Sequence, residues 1–153
     1  MQYIFGKERI MNDEYNKLGK DNVVRWDVIE LEKNKEQELK FNFISTNSKY
    51  KQGVRIAIDF GEGYIEINGI KSKEFQLWED TCPHNIIMKC KNTEGKISVY
   101  NIFDLGNSRG GIRSQVDSSG MLIETNDKYR IYKCNDAGFQ TNFDKLVFEI
   151  ELR

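Results

Sequence analysis

Proline occurs once in this chain, at Pro83, and histidine once, at His84. So little proline argues against a long disordered linker. With 153 residues the chain fits one domain, 1–153, with 1–22 expected to form a helix or coil packed on it. One histidine gives imidazole-based acid–base chemistry almost no material. Its neighbours Glu79, Asp80 and Cys82 read instead as a strand end and an acidic turn. The three cysteines, Cys82, Cys90 and Cys134, contain no C-x-x-C pair and are odd in number, a poor disulfide framework. A zinc site would consume all three together with His84. Cys90 and Cys134 fall in apolar alternating runs, where a free cysteine acts as a small buried hydrophobe, so structural thiols are expected.

Long apolar runs are missing too. Nothing approaches the ~18 residues of a membrane-spanning helix, and the opening MQYIFGKERI is too polar for a signal peptide. The expectation is a soluble, cytoplasmic protein with no membrane partner. Lys and Arg number 23 against 24 Asp and Glu, so no global field draws nucleic acid to the chain.

Alternation of apolar and polar residues, the mark of a half-buried strand, is abundant. Leu39, Phe41 and Phe43 alternate with Lys40 and Asn42, and Val54, Ile56, Ile58 and Phe60 with Arg55, Ala57 and Asp59. Ile97, Val99, Asn101 and Phe103 repeat the pattern, as do Leu146, Phe148, Ile150 and Leu152. Weaker strands are expected at 23–31, 64–70, 74–78, 85–90, 121–125 and 129–135. Gly61-Glu62-Gly63 reads as a hairpin between two alternating runs, Asn126-Asp127 as another, and Thr93-Glu94-Gly95 as the turn opening the Ile97 strand. Only 11–18 suits a helix, with Asn12 as N-cap and Gly19 as stop. Many short strands without helical patterns between them predict an all-β, two-sheet antiparallel sandwich, jelly-roll-like, of about nine or ten strands.

Two stretches stand apart. Residues 105–120 are rich in glycine and serine and too long for an ordinary connection, which suggests either a surface loop or a binding loop. As a site it would offer the forked donors of Arg109 and Arg113 to an anion, beside Asp104, Asp117 and Tyr100. The alternative is that Asp104 and Asp117 neutralise those arginines and pin the loop. Tyr64, Tyr100 and Tyr132, placed on the exposed sides of their strands, could stack on sugar rings or bases. The second stretch runs from Cys134 to Phe148 and gathers Asn135, Asp136, Gln140, Asn142 and Asp144 before a strongly apolar strand. Its Asn and Asp residues read either as a side-chain-bonded turn or as oxygen ligands.

The Phe143-x-x-Leu146-Val147-Phe148 frame resembles the ending Asp-x-Asp-Phe-Asn-Asp-Leu-Val-Phe of secreted bacterial β-sandwich domains of uncharacterised function. The resemblance covers about a tenth of the chain and implies a calcium site built from Asn135, Asp136, Asn142 and Asp144. Gln140 and Asn142 replace two acids of that ending, Asp144 stands where Asn is usual, and Lys145 replaces a third acid. Fewer carboxylates and an added ammonium weaken any such site. Tyr100-Asn101-x-x-Asp104, Gly120-Met121-x-x-Glu124 and Cys134-Asn135-Asp136 are similar to segments of small uncharacterised bacterial proteins, which implies a shared fold and no particular activity.

With no catalytic motif in view, the favoured expectation is a non-catalytic module for a small anionic or carbohydrate-like ligand, without cofactor unless calcium. The alternative is a protein-interaction domain of inhibitor, immunity or assembly type. A hydrolase using dispersed carboxylates ranks behind both.

Overall fold

A computed structural model describes residues 4–5, 9–106 and 111–153. In chain order its elements are β1 (Ile4–Phe5), β2 (Ile10–Met11), α1 (Asp13–Lys17), β3 (Val24–Glu30), β4 (Gln37–Thr46), β5 (Lys51–Ala57), β6 (Gly63–Ile67) and β7 (Ile70–Ser72). They continue with β8 (Glu74–Trp78), β9 (Asn85–Asn92), β10 (Lys96–Asp104), β11 (Ile112–Ser114), β12 (Gly120–Thr125), β13 (Tyr129–Asn135) and β14 (Leu146–Leu152). The fold is all-β. The alternating runs expected from the sequence are strands, except that β5 ends at Ala57 and leaves Ile58 and Phe60 beyond it. Every strand pairing among the described residues is antiparallel.

The strands form one continuous sheet in the order β7-β6-β9-β4-β14-β13-β12-β3-β10-β5-β8, with β1 and β2 on β3 and β11 on β10. Continuity depends on β3. Its first residue, Val24, pairs with Met121 of β12, and from Asp27 onward it pairs with Val99 to Lys96 of β10. The sheet therefore has two arms hinged at one strand, and a single hydrophobic cluster draws on both. Phe41, Phe43, Met88, Phe148 and Ile150 come from one arm, Val54, Ile56, Leu77, Ile97 and Val99 from the other. The path ends at β7 and β8, consecutive in sequence and joined through Lys73, whose carbonyl accepts the Ile58 amide at 2.7 Å. The sheet thus comes close to closing on itself.

Gly61-Glu62-Gly63 is not a hairpin. It carries the chain from β5 in one arm to β6 in the other, where β6 pairs with β7 and β9. Its glycines serve a close approach instead. Gly63 has φ +143°, and a Cβ there would sit 1.9 Å from the Lys91 carbonyl oxygen. Asn126-Asp127 does turn β12 into β13, closed by the Asn126 amide on the Tyr129 carbonyl.

The helix forms where expected. Asn12 Oδ1 accepts the Glu14 and Tyr15 amides as an N-cap, acids fill the first turn, and Lys17 lies in the last. Five residues of helix are marginal on their own. Packing holds them: Asn12 Nδ2 donates to the carbonyls of Asp117 and Ser119, Tyr15 Oη donates to the Ser118 carbonyl, and the Tyr15 ring meets Phe139 and Phe143.

Residues 105–120 are not one open loop. β11 folds back on the end of β10 in register Phe103 to Arg113, and 116–119 turn inward to anchor α1. Tyr132, expected on an exposed face, is fully buried and stacks on Phe148 with centroids 4.4 Å apart. Tyr132 shares the buried face of β13 with Arg130 and Cys134, while Tyr129, Ile131 and Lys133 lie on the partly exposed face.

Candidate ligand-binding site

The loop stretch does not converge on a site among the described residues. Asp104 Oδ1 accepts the Gly106 amide and closes a turn. Arg113 is exposed on β11, and Asp117 is exposed with its carbonyl spent on Asn12. Arg109 lies outside the described residues. Tyr100 belongs to a different surface, the outer face of β10, where Arg55 lies over its ring at 5.3 Å and Trp26 packs at its edge. Phe60 stacks on Trp26 there, and Arg55 is already engaged by Asp59 and Glu74. This cluster is not legible in the sequence because its members come from three strands and a turn.

The C-terminal stretch does build a pocket. Its backbone is set by Asn135, whose Nδ2 donates to the carbonyls of Ser118 and Gly138 and to Tyr15 Oη. Asn135 therefore shapes the loop that follows β13 through Nδ2, while its Oδ1 is buried without a hydrogen-bond partner among the described residues. The turn between β4 and β5 approaches from the other side, with the Asn47 amide on the Lys145 carbonyl and Asn47 Nδ2 on Asp144 Oδ2. Between the two loops lies a cavity of about 410 Å³ lined by Asn47, Ser48, Lys49, Tyr50, Asp136, Ala137, Gln140 and Lys145.

Asp136 is its most constrained polar group. The residue is 2% exposed, and Oδ2 accepts both Ser48 Oγ at 2.5 Å and Gln52 Nε2 at 2.9 Å. Ser48 is oriented in turn by the Tyr50 amide, and Gln52 Nε2 also donates to the Tyr50 carbonyl. Oδ2 is thus taken twice, and Oδ1 accepts no hydrogen bond among the described residues. The Gln52 carboxamide oxygen is buried without a hydrogen-bond partner among the described residues. Two cations moderate the charge: Lys49 reaches over the Tyr50 ring and Lys145 stands 3.8 Å from Asp144.

Of the four residues expected as calcium ligands, Asp136 lines this pocket and Asp144 backs its wall through Asn47 and Lys145. Asn135 faces the helix network, and Asn142 is exposed and not among the lining residues. Among the described residues no group of three or more His, Cys, Asp or Glu side chains is placed to hold a metal ion. Ser48 and Gln52 are not legible as site residues in the sequence because their partner Asp136 lies more than eighty residues away, and Tyr50 enters the site only through its bonds to those two.

His84 packs against Phe43, with Nε2 at 3.1 Å from the Glu79 carbonyl oxygen. The three cysteines are free; Cys90 and Cys134 are fully buried, Cys82 partly. No helix among the described residues is long and apolar enough to cross a membrane. Compared with known protein families, curated proteins and solved structures, the chain matches none of them.

Proposed function

We propose that the protein is a non-catalytic binding module that takes a small, carbohydrate-like ligand, neutral and rich in hydroxyl groups, in the Asp136 pocket. The observation that carries this reading is a carboxylate buried at a cavity wall with one oxygen saturated by Ser48 and Gln52 and the other without a hydrogen bond among the described residues. Hydroxyl donors bond well to a fixed carboxylate. Asn47 and Gln140 add amides that both donate and accept, and Tyr50 adds an aromatic edge. The carboxylates of Asp136 and Asp144 oppose an anionic ligand, so the carbohydrate-like alternative is preferred. A jelly-roll-like packing of the two arms across the shared core suits this reading, since its end loops gather at one site.

The test is saturation-transfer NMR and calorimetry against a panel of monosaccharides and disaccharides, with Asp136→Asn as the comparison. Asp136→Asn keeps the shape and is expected to weaken binding at least tenfold, about 1.4 kcal/mol. A panel without any binder, or a ligand that binds Asp136→Asn as tightly, rejects the proposal.

A further inference from the structure

A second cavity, of about 660 Å³, opens where the sheet fails to close. Its walls include Ile67 of β6, Ile70 of β7, Phe75 and Leu77 of β8, and Ile86 of β9, so both terminal strands of the sheet order contribute. Unpaired with each other, β7 and β8 leave a gap through which the core cluster is reached: Ile67, Phe75 and Cys82 pack directly on it. Ile70 is 64% exposed at the mouth, and Ile87 is exposed beside it.

Charge narrows the occupant. Nearly a third of the chain is charged, 31%, yet every residue lining this cavity is uncharged. Its polar lining consists of Asn68, Gln76 and Asn85. The apolar part of these walls favours an apolar body over water, and the three amides favour a neutral polar end that replaces their hydrogen bonds to water. They offer no counter-charge to a carboxylate, phosphate or ammonium, whose desolvation would go uncompensated. The volume lies within the ~300–1,000 Å³ usual for small-molecule pockets.

We infer that the cleft between β7 and β8 is a binding site for a small uncharged molecule with an apolar body and a hydrogen-bonding end. It is separate from the Asp136 pocket and independent of the function proposed there. The apolar body lies against Phe75, Leu77 and Ile86, and Ile70 closes over it.

Cys82 supplies a built-in reporter, since it lines the cleft while Cys90 and Cys134 are fully buried. The experiment titrates the full chain with N-phenyl-1-naphthylamine, an uncharged fluorescent probe, and follows iodoacetamide labelling of Cys82 by intact mass. Saturable one-to-one binding, labelling slowed at least fivefold at saturation, and binding weakened at least tenfold by Ile70→Glu are expected. The exposure of Ile70 leaves the melting temperature of that variant within a few degrees of the parent, which separates a lost site from a lost fold. Unsaturable fluorescence, unchanged Cys82 labelling at saturation, or binding indifferent to Ile70→Glu overturns the proposal. So does a dimer in sedimentation that Ile70→Glu converts to monomer, because the cleft would then be covered by a second copy.

Discussion

Asp27 is a carboxylate placed in the core of the fold. It is fully buried, its Oδ2 accepts Arg130 Nη1 at 2.5 Å and Tyr132 Oη at 2.6 Å, and Arg9 stands 3.3 Å from Oδ1. It also marks the first β3 residue paired with β10, so the ionic cluster sits at the hinge between the arms. Removing one partner from such a cluster leaves a buried charge uncompensated, which costs about 3–5 kcal/mol. Asp27→Ala is therefore expected to lower urea-unfolding stability by that amount. The double change Asp27→Leu with Arg130→Met should recover part of the loss, and a double variant as unstable as the sum of the singles would refute the account. The thiols carry a pH dependence at the same scale. Burial pushes Cys90 from 9.0 to about 12 and raises Cys134 well above its ordinary value. The folded state holds these protons more tightly than the unfolded chain, so the stabilisation is fully present below pH 9. It is lost as the pH rises from 9 towards 12, at about 1.4 kcal/mol per unit for each thiol. Denaturant midpoints taken from pH 8 upward check this, and Cys90→Ala should flatten the slope.

At the scale of elements, the N-terminal helix exists because of what it touches. Asn12 caps it and ties it to two carbonyls of the 116–119 turn, so Asn12→Ala loses a cap of ~1 kcal/mol and two further bonds of about 1 kcal/mol each. The expected loss is about 2–3 kcal/mol, accompanied by faster amide exchange in α1. Unchanged exchange at Tyr15 would show that the aromatic contacts with Phe139 and Phe143 hold the helix alone. The crossing into β6 depends on Gly63. A side chain there collides with Lys91 backbone in a conformation that other residues rarely adopt. Gly63→Ala should lower the melting temperature by at least 8 °C, roughly 2 kcal/mol or more for a domain of this size, and protection of the β6–β9 amides should fall first. How the sequence encoded these elements varied with distance. Asn12, the acids after it and Gly19 spelled the helix locally. Gly61 and Gly63 look like turn glycines in the sequence because nothing near them names what they must clear, the Thr93 and Glu94 side chains for Gly61 and the Lys91 backbone for Gly63.

For the whole molecule, most pairings join segments far apart: β4 with β14, β3 with β12, β5 with β10. Ordering such long loops before contacts form slows folding to milliseconds or longer. Stopped-flow refolding followed by Trp26 and Trp78 fluorescence is expected in the millisecond-to-second range, and microsecond relaxation would contradict the non-local topology. The sequence by itself determined the strands, their count to within the short ones, the helix and its cap, and the buried faces of β4, β10 and β14, because period and capping are local properties of a chain. It also placed Asp136 in a polar loop. Only the tertiary structure decided that β3 would join two arms, that Tyr132 would be buried and Tyr100 half-covered, and that Asp136 would meet Ser48 and Gln52. It alone put an uncharged cleft between β7 and β8. Each of these rests on partners brought together by pairing across tens of residues, and alternation fixes which face of a strand is apolar but not which strand will lie beside it.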